Sequence, residues 1–298
     1  MVNNKVLSEA GTYRLQRPGM ALALLGCIFL FCLVVAGVIL PLVTTHISRP
    51  EAAVRIATVI QDFVVFIIPA IGMGVAVTRL PARLLAIDKG ASITGICLAL
   101  LTMIMSIPAM NFIIEWNKGW HLPASMAGIE EYCRALEDSA LATTQLLLNG
   151  ASVGSLIVSV LIVGVLAGFS EELFFRGAFM RTLGMTRINK HVVIWLVAFV
   201  FSAFHFQMFG FVPRMLLGAF FGYLLWWSGS LWLPILVHVF NNSIVVIAEY
   251  IKTNDPSTAP IDEFGSHLTS ATEIIAVIAS VILTSAGIFA LYKYYHSK

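Results

Sequence analysis

The chain has 298 residues, of which 59% are hydrophobic and only 11% charged, with a formal net charge of +2 and a mean hydropathy of +0.90. A soluble domain carries roughly 25% charged residues, so the composition excludes a soluble globular protein and points to an all-α, polytopic membrane protein. The few cations are spread through loops rather than gathered in a patch, which excludes nucleic acid as a partner and leaves the lipid bilayer as the surroundings.

A membrane-crossing helix needs about 20 apolar residues. On that scale the chain reads as about eight spans in one membrane domain, 1–298, without internal repeats. Residues 1–19 form a polar N-terminus. The first span, Met20 to Thr44, is too long for the apolar core of a cleavable signal and reads as permanent. The second, Ile56 to Thr78, contains Gln61, Asp62 and Pro69; Asp62 reads as a structural buried acid, paired with Arg55 or capping a wet cavity. The third, Ala91 to Ile114, has Pro108 near its outer end. Residues 115–150 form the longest loop. Within it, Pro123 to Leu148 has helical periodicity in Met126, Ile129, Tyr132, Cys133, Leu136 and Leu141, which predicts an interfacial or external amphipathic helix. Its Glu130-Glu131-Tyr-Cys-Arg134 stretch reads as a solvated face.

The fourth span, Ser152 to Met180, is followed by Val192 to Phe209, Met215 to Trp227 (extended if Phe211 and Val212 join it), Leu231 to Tyr250 and finally Ile274 to Tyr292, with the last helix covering 274–292. Arg79, Arg83, Lys89, Arg181, Arg187, Lys190, Lys293 and the N-terminal Lys5, Arg14 and Arg17 fall on one side of eight spans. By the positive-inside rule that side, with both termini, is cytoplasmic, in the plasma (inner) membrane. The cysteines Cys27, Cys32, Cys97 and Cys133 show no CxxC spacing and read as small buried apolar groups.

Against this apolar background the fourth span carries Gly168-Phe-Ser-Glu171-Glu172-Leu-Phe-Phe-Arg176-Gly177. Ionisable groups at that depth are costly and mark a functional site. Glu172 and Arg176 stand at i and i+4 and can pair on one face, while Glu171 points about 100° away, toward a cavity. His205 falls in the fifth span, and His238 and Asn242 share a face of the seventh. Counted from the basic end, Glu171 lies ~15 Å in, His205 ~21 Å, His238 ~10 Å and Asn242 ~16 Å, so the four can meet around a buried polar cavity formed by 152–250. A carboxylate and an imidazole there can activate a water, and a second imidazole with an amide can stabilise an oxyanion. Ser202, one turn before His205, raises the lesser alternative of a Ser-His dyad.

Glu171-Glu172-x-x-x-Arg176, Phe201-x-x-x-His205 and His238-x-x-x-Asn242, in that order on three helices, resemble the motifs of the CAAX-processing and bacteriocin-processing (CPBP, or Abi) family, which includes the type II CAAX prenyl endopeptidases. The resemblance implies an intramembrane glutamic-type endopeptidase with no cofactor and no metal. It casts Glu171 as the base, His205 as its assistant, His238 and Asn242 as the oxyanion site, and Glu172 with Arg176 as a structural or substrate-positioning pair. The implied partner is a membrane-associated peptide or a protein C-terminal tail, with or without a lipid. Two other readings compete: a zinc-dependent intramembrane protease, since two His and a Glu can bind Zn²⁺ although no HExxH is present, and a non-proteolytic scaffold or bacteriocin self-immunity protein. A transporter, which often shows two related halves, has no support in an internal repeat.

Overall fold

The computed structural model describes residues 15, 17–148, 150, 152–255 and 264–297, and among these the chain is helical without a strand. Lys5 and Arg14, part of the expected basic N-terminus, lie outside the described residues. Helix α1 (Pro18–Thr44) begins on a proline whose missing N–H costs nothing at that position. Helix α2 (Pro50–Val77) follows, and α3 (Ile93–Met105) is capped by the Ser92 hydroxyl on the Gly95 N–H. Helix α4 (Ile107–Lys118) is bent from α3 by 51°. The loop helix α5 (Ala127–Leu148) leads to α6 (Val153–Leu183). After α7 (Lys190–Ala203), a short 3₁₀ turn, Met208–Gly210, opens α8 (Phe211–Ser228). Helix α8 ends on Gly229 at φ +67°, a left-handed cap that favours glycine. Helix α9 (Trp232–Asn254) and α10 (Ala271–His296), the latter opened by a Ser270–Glu273 capping box, complete the bundle.

The eight expected spans resolve into six long apolar helices (α1, α2, α6, α8 with its 3₁₀ turn, α9 and α10), one bent pair and one short helix. The third span breaks near its middle, because Pro108 sits in the first turn of α4, where its ring prevents α3 from continuing. The fifth span, expected to reach Phe209, stops at Ala203. With 14 residues α7 is ~21 Å long, short of the ~30 Å hydrocarbon core. The chain then reverses through Phe206, at φ +54°, into α8.

The outside of the bundle is apolar: Leu30, Phe31 and Val34 on α1 are 62%, 68% and 68% exposed, and Ile275 and Phe289 on α10 are 66% and 64% exposed. In water such a surface would aggregate; in a bilayer it meets lipid tails. Of the cysteines only Cys32 is buried, while Cys27 and Cys97 lie on this outer surface rather than inside.

Each end of the bundle is tied by backbone carbonyls. At one end Arg181 Nε donates to the Leu84 carbonyl (2.8 Å), the Leu231 N–H to that of Ala86 (2.8 Å) and Ser230 Oγ to that of Lys89 (2.7 Å). At the other, the Asn117 side chain donates to the Met208 carbonyl (3.3 Å) and accepts from the Val212 N–H (2.8 Å), and Arg55 Nε donates to the Leu147 carbonyl (3.2 Å). Helix α5 covers this second end. Its Glu130 is not a solvated charge: it accepts from the Leu122 N–H (2.7 Å), from His121 Nδ1 (2.9 Å) and from Arg134 (2.6 Å). Those bonds hold its carboxyl down at about 2, the Leu122 N–H first and Arg134 second. Arg134 lies 4.1 Å over the Phe209 ring, and Glu137 accepts from the Phe209 N–H (3.2 Å), so α5 is fastened to the turn that follows α7.

Candidate active site

Helices α6 and α9 run antiparallel and touch along glycines of α6. A Cβ on Gly168 would stand 3.1 Å from Val239 N and Cγ2, one on Gly164 would overlap the Ser243 hydroxyl, and one on Gly177 would meet Leu231 at 3.1 Å. Small residues let two helices approach this closely in a membrane. The approach brings the middle of α6 against the middle of α9. Helix α6 is also wound into π turns over Val160–Ala167 and Leu173–Met180, on either side of the segment Gly168–Glu172. Such local widening is common at functional sites because it re-aims side chains.

The side chains meet there. Glu172 Oε1 accepts from Arg176 Nη1 (2.6 Å) and from His238 Nδ1 (2.9 Å), and Glu172 and Arg176 are both 0% exposed. Arg176 Nη2 donates to the Gly218 carbonyl of α8 (2.9 Å), and the guanidinium carbon lies 4.4 Å from the Phe201 ring centre and 5.5 Å from that of Phe221. The buried cation is thereby enclosed by a carboxylate, a carbonyl and two π faces, as a charge out of water requires. His238 stacks on Phe221 (centroids 4.8 Å apart) and meets the Phe201 ring edge-on (6.0 Å).

Glu171 differs from its neighbour. Its side chain is 16% exposed, and Oε2 stands 3.8 Å from His238 Nε2, beyond direct hydrogen-bond length. It lies within electrostatic reach of His205, Arg176, Arg214 and Asp62. His205 gives its Nδ1–H to the Phe201 carbonyl (2.9 Å), which leaves Nε2 as the lone-pair nitrogen of the neutral ring. Asn242, one turn along α9 from His238, donates Nδ2–H to the Val163 carbonyl (3.2 Å) and accepts from Asn241 (3.2 Å), with a second N–H on Nδ2 left over. Ser202 is fully buried and its hydroxyl is given to the Phe211 carbonyl (2.7 Å), so it forms no dyad with His205.

Two residues that the sequence did not assign to the site belong to its surroundings. Asp62, 2% exposed, takes a hydrogen bond from Ser170 of α6 (3.1 Å), the residue preceding Glu171. It stood in an apolar run as Glu171 does, so the same signal was present. Arg214, in the first turn of α8, precedes the apolar run that starts at Met215, so hydropathy does not mark it. Among the described residues no three His, Cys, Asp or Glu side chains converge as a metal-ligand set.

Residues 153–244 match the family model described as type II CAAX prenyl endopeptidase Rce1-like. Over that stretch, about a third of its length, the chain is similar to the Rce1-like endopeptidases. The match begins at the first residue of α6 and ends within α9, and so contains Glu171, Glu172, Arg176, His205, His238 and Asn242. No curated protein and no solved structure matches the chain. The matched segment holds the buried Glu172, Arg176 and His238, a further buried carboxylate, Asp62, lies outside it on α2, and α1 and α10 present plain apolar surface.

Proposed function

We propose that the chain is an intramembrane endopeptidase of the glutamic type, acting without a metal on membrane-associated peptides or protein C-terminal tails. The carrying observation is the inequality of the two glutamates: Glu172 is sealed and committed to Arg176 and His238, and Glu171 beside it is accessible and uncommitted. The Rce1-like match supports endopeptidase chemistry on a CAAX-type tail.

In this reading Glu171 takes a proton from a water as its oxygen attacks the scissile carbonyl carbon, and the lone-pair Nε2 of His205 helps to hold that water. The C=O electrons move to oxygen. With Nδ1 of His238 given to Glu172, its Nε2 is the ring nitrogen that faces the oxyanion, and it is the first donor when the ring carries a hydrogen on both nitrogens. The spare N–H of Asn242 is the second donor. The C–N bond then breaks, and the proton held by Glu171 passes to the leaving amine. Arg176, with both terminal nitrogens occupied, holds the site together. The basic loops 79–89 and 184–190 support a cytoplasmic placement of that end and of both termini in the inner membrane; a one-sided thiol reagent against cysteines placed in these loops reads the orientation.

The test is cleavage of a prenylated CAAX peptide by purified protein in lipid nanodiscs. Glu171→Gln, which keeps shape and removes the base, should lower the rate by at least about 10³ with unchanged thermal unfolding. Asn242→Ala should lose about 10²–10³. A strong chelator should change nothing. Full activity in Glu171→Gln, or loss on chelation with recovery on adding Zn²⁺, refutes this mechanism.

A further inference from the structure

Resting on the endopeptidase reading, we propose that Arg214 receives the C-terminal carboxylate of the substrate tail and so makes the site specific for chain ends. Arg214 Nη2 is oriented by the Gln207 side-chain carbonyl (2.6 Å), while Nη1 is buried without a hydrogen-bond partner. A guanidinium nitrogen with two unpaired N–H groups away from water is costly, and a planar carboxylate is the acceptor its fork geometry fits. The neighbouring anions leave Nη1 without a hydrogen bond. Glu137 is the nearer charge and attracts Arg214 through space, with its Oε1 beside the guanidinium and its Oε2 given to the Phe209 N–H. Glu171 reaches Arg214 only through space.

The position fits the length of a short tail. Arg214 precedes Gly218 by one turn of α8, ~6 Å along the axis, and the Gly218 carbonyl is the anchor of Arg176. The cation thus stands about one helical turn from the Glu172–Arg176 pair and within electrostatic reach of both Glu171 and His205. Three extended residues span roughly 10 Å. A scissile bond at Glu171 therefore leaves room for a few residues before the chain must end in a carboxylate at Arg214. Gln207, which aims the guanidinium, and Glu137 and Gly210, which crowd it, lie on α5 and the turn after α7, so this end of the cavity is built by the cover of the site.

Binding and cutting separate the two ideas. The probe is a fluorescent S-farnesylated peptide ending Cys-Val-Ile-Ala, made once with a free C-terminal carboxylate and once as the amide. Glu171→Gln protein in nanodiscs should bind the acid at least tenfold more tightly than the amide. In Glu171→Gln/Arg214→Met the acid should fall to the affinity of the amide while amide affinity stays put, which also shows that the fold is intact. Arg214→Lys, with charge but no fork, should retain part of the preference. Equal affinity for acid and amide in the first protein, or a preference that survives Arg214→Met, overturns the proposal. If the preference tracks Arg214 and yet the wild-type protein cuts neither peptide, the carboxylate site stands and the catalytic reading falls alone.

Discussion

The chain contains two Glu-Glu-to-Arg stretches, and they differ by one residue. In α5 the order is Glu130-Glu131-x-x-Arg134; in α6 it is Glu171-Glu172-x-x-x-Arg176. A helix pairs residues four apart, so in α5 the arginine reaches the first glutamate (2.6 Å) and in α6 the second (2.6 Å). The extra residue in α6 releases the leading carboxylate, Glu171, from its own cation. The surroundings differ as much as the register. The α5 pair is 15% and 39% exposed and fastens a loop; the α6 pair is 0% exposed and holds His238 and Gly218 as well. Identical bond lengths thus carry different consequences. At the surface, water replaces a lost partner, whereas in the bundle nothing does.

Breaking the inner pair should have the largest effect. Arg176→Met leaves Glu172 charged among rings and should destabilise the protein by about 3–5 kcal/mol, because an uncompensated charge stays buried; Arg134→Met should leave global unfolding nearly unchanged. Thermal unfolding in one detergent compares them directly. Equal losses would mean that burial is not what separates the two stretches. The double change Glu172→Leu/Arg176→Met sharpens the point. It removes both charges and should recover much of the stability, while activity stays lost because His238 has no anion on Nδ1. Recovery of activity along with stability would deny Glu172 any part in orienting His238.

A smaller effect should follow from the approach of α6 to α9. A Cβ at Gly168 would stand 3.1 Å from the backbone of Val239, so Gly168→Ala forces the helices apart. Overpacking of this kind costs about 1–3 kcal/mol, and activity should fall by more than stability accounts for, since Glu171 and His238 sit on the two helices being separated. The reciprocal change Val239→Ala in the Gly168→Ala background relieves the Cγ2 contact but not the backbone one, and should restore stability only in part.

Much of this was legible in the sequence because helix geometry is local. The Glu172–Arg176 pair, the shared face of His238 and Asn242 and the helix α5 within the long loop all follow from spacing along one segment. Other features depend on which segments become neighbours. Asp62 could be seen to need a partner, but that the partner is Ser170 depends on α2 packing against α6. Residues 192–209 form one apolar run, and hydropathy cannot show that α7 stops at Ala203. The stop is enforced by partners elsewhere, with Ser202 held by the Phe211 carbonyl and the Met208 carbonyl held by Asn117. The π turns of α6 carry no residue signature and emerge only in the packed bundle.

The outer pair offers the smallest effect and the cleanest sign. There the hydrogen bonds, that from the Leu122 N–H first, together with the Arg134 charge outweigh a smaller cost of burial and hold the Glu130 carboxyl at about 2, against an ordinary value of roughly 4.3 for glutamate. A folded-state value below the unfolded one means that the ionised form favours the docked loop. That contribution is complete above pH ~4.3 and disappears as pH falls toward ~2. Arg134 Nη2 also donates to the Trp120 carbonyl (3.0 Å), and Trp120 meets Trp116 edge-on (5.1 Å). Release of the loop should therefore change the fluorescence of this tryptophan pair between pH 4 and 2 while the bundle stays folded. Glu130→Gln should remove the transition and start from the released signal. A transition that persists in Glu130→Gln would assign it to another carboxylate, and the outer pair would then be an ion pair without influence on the docking of α5.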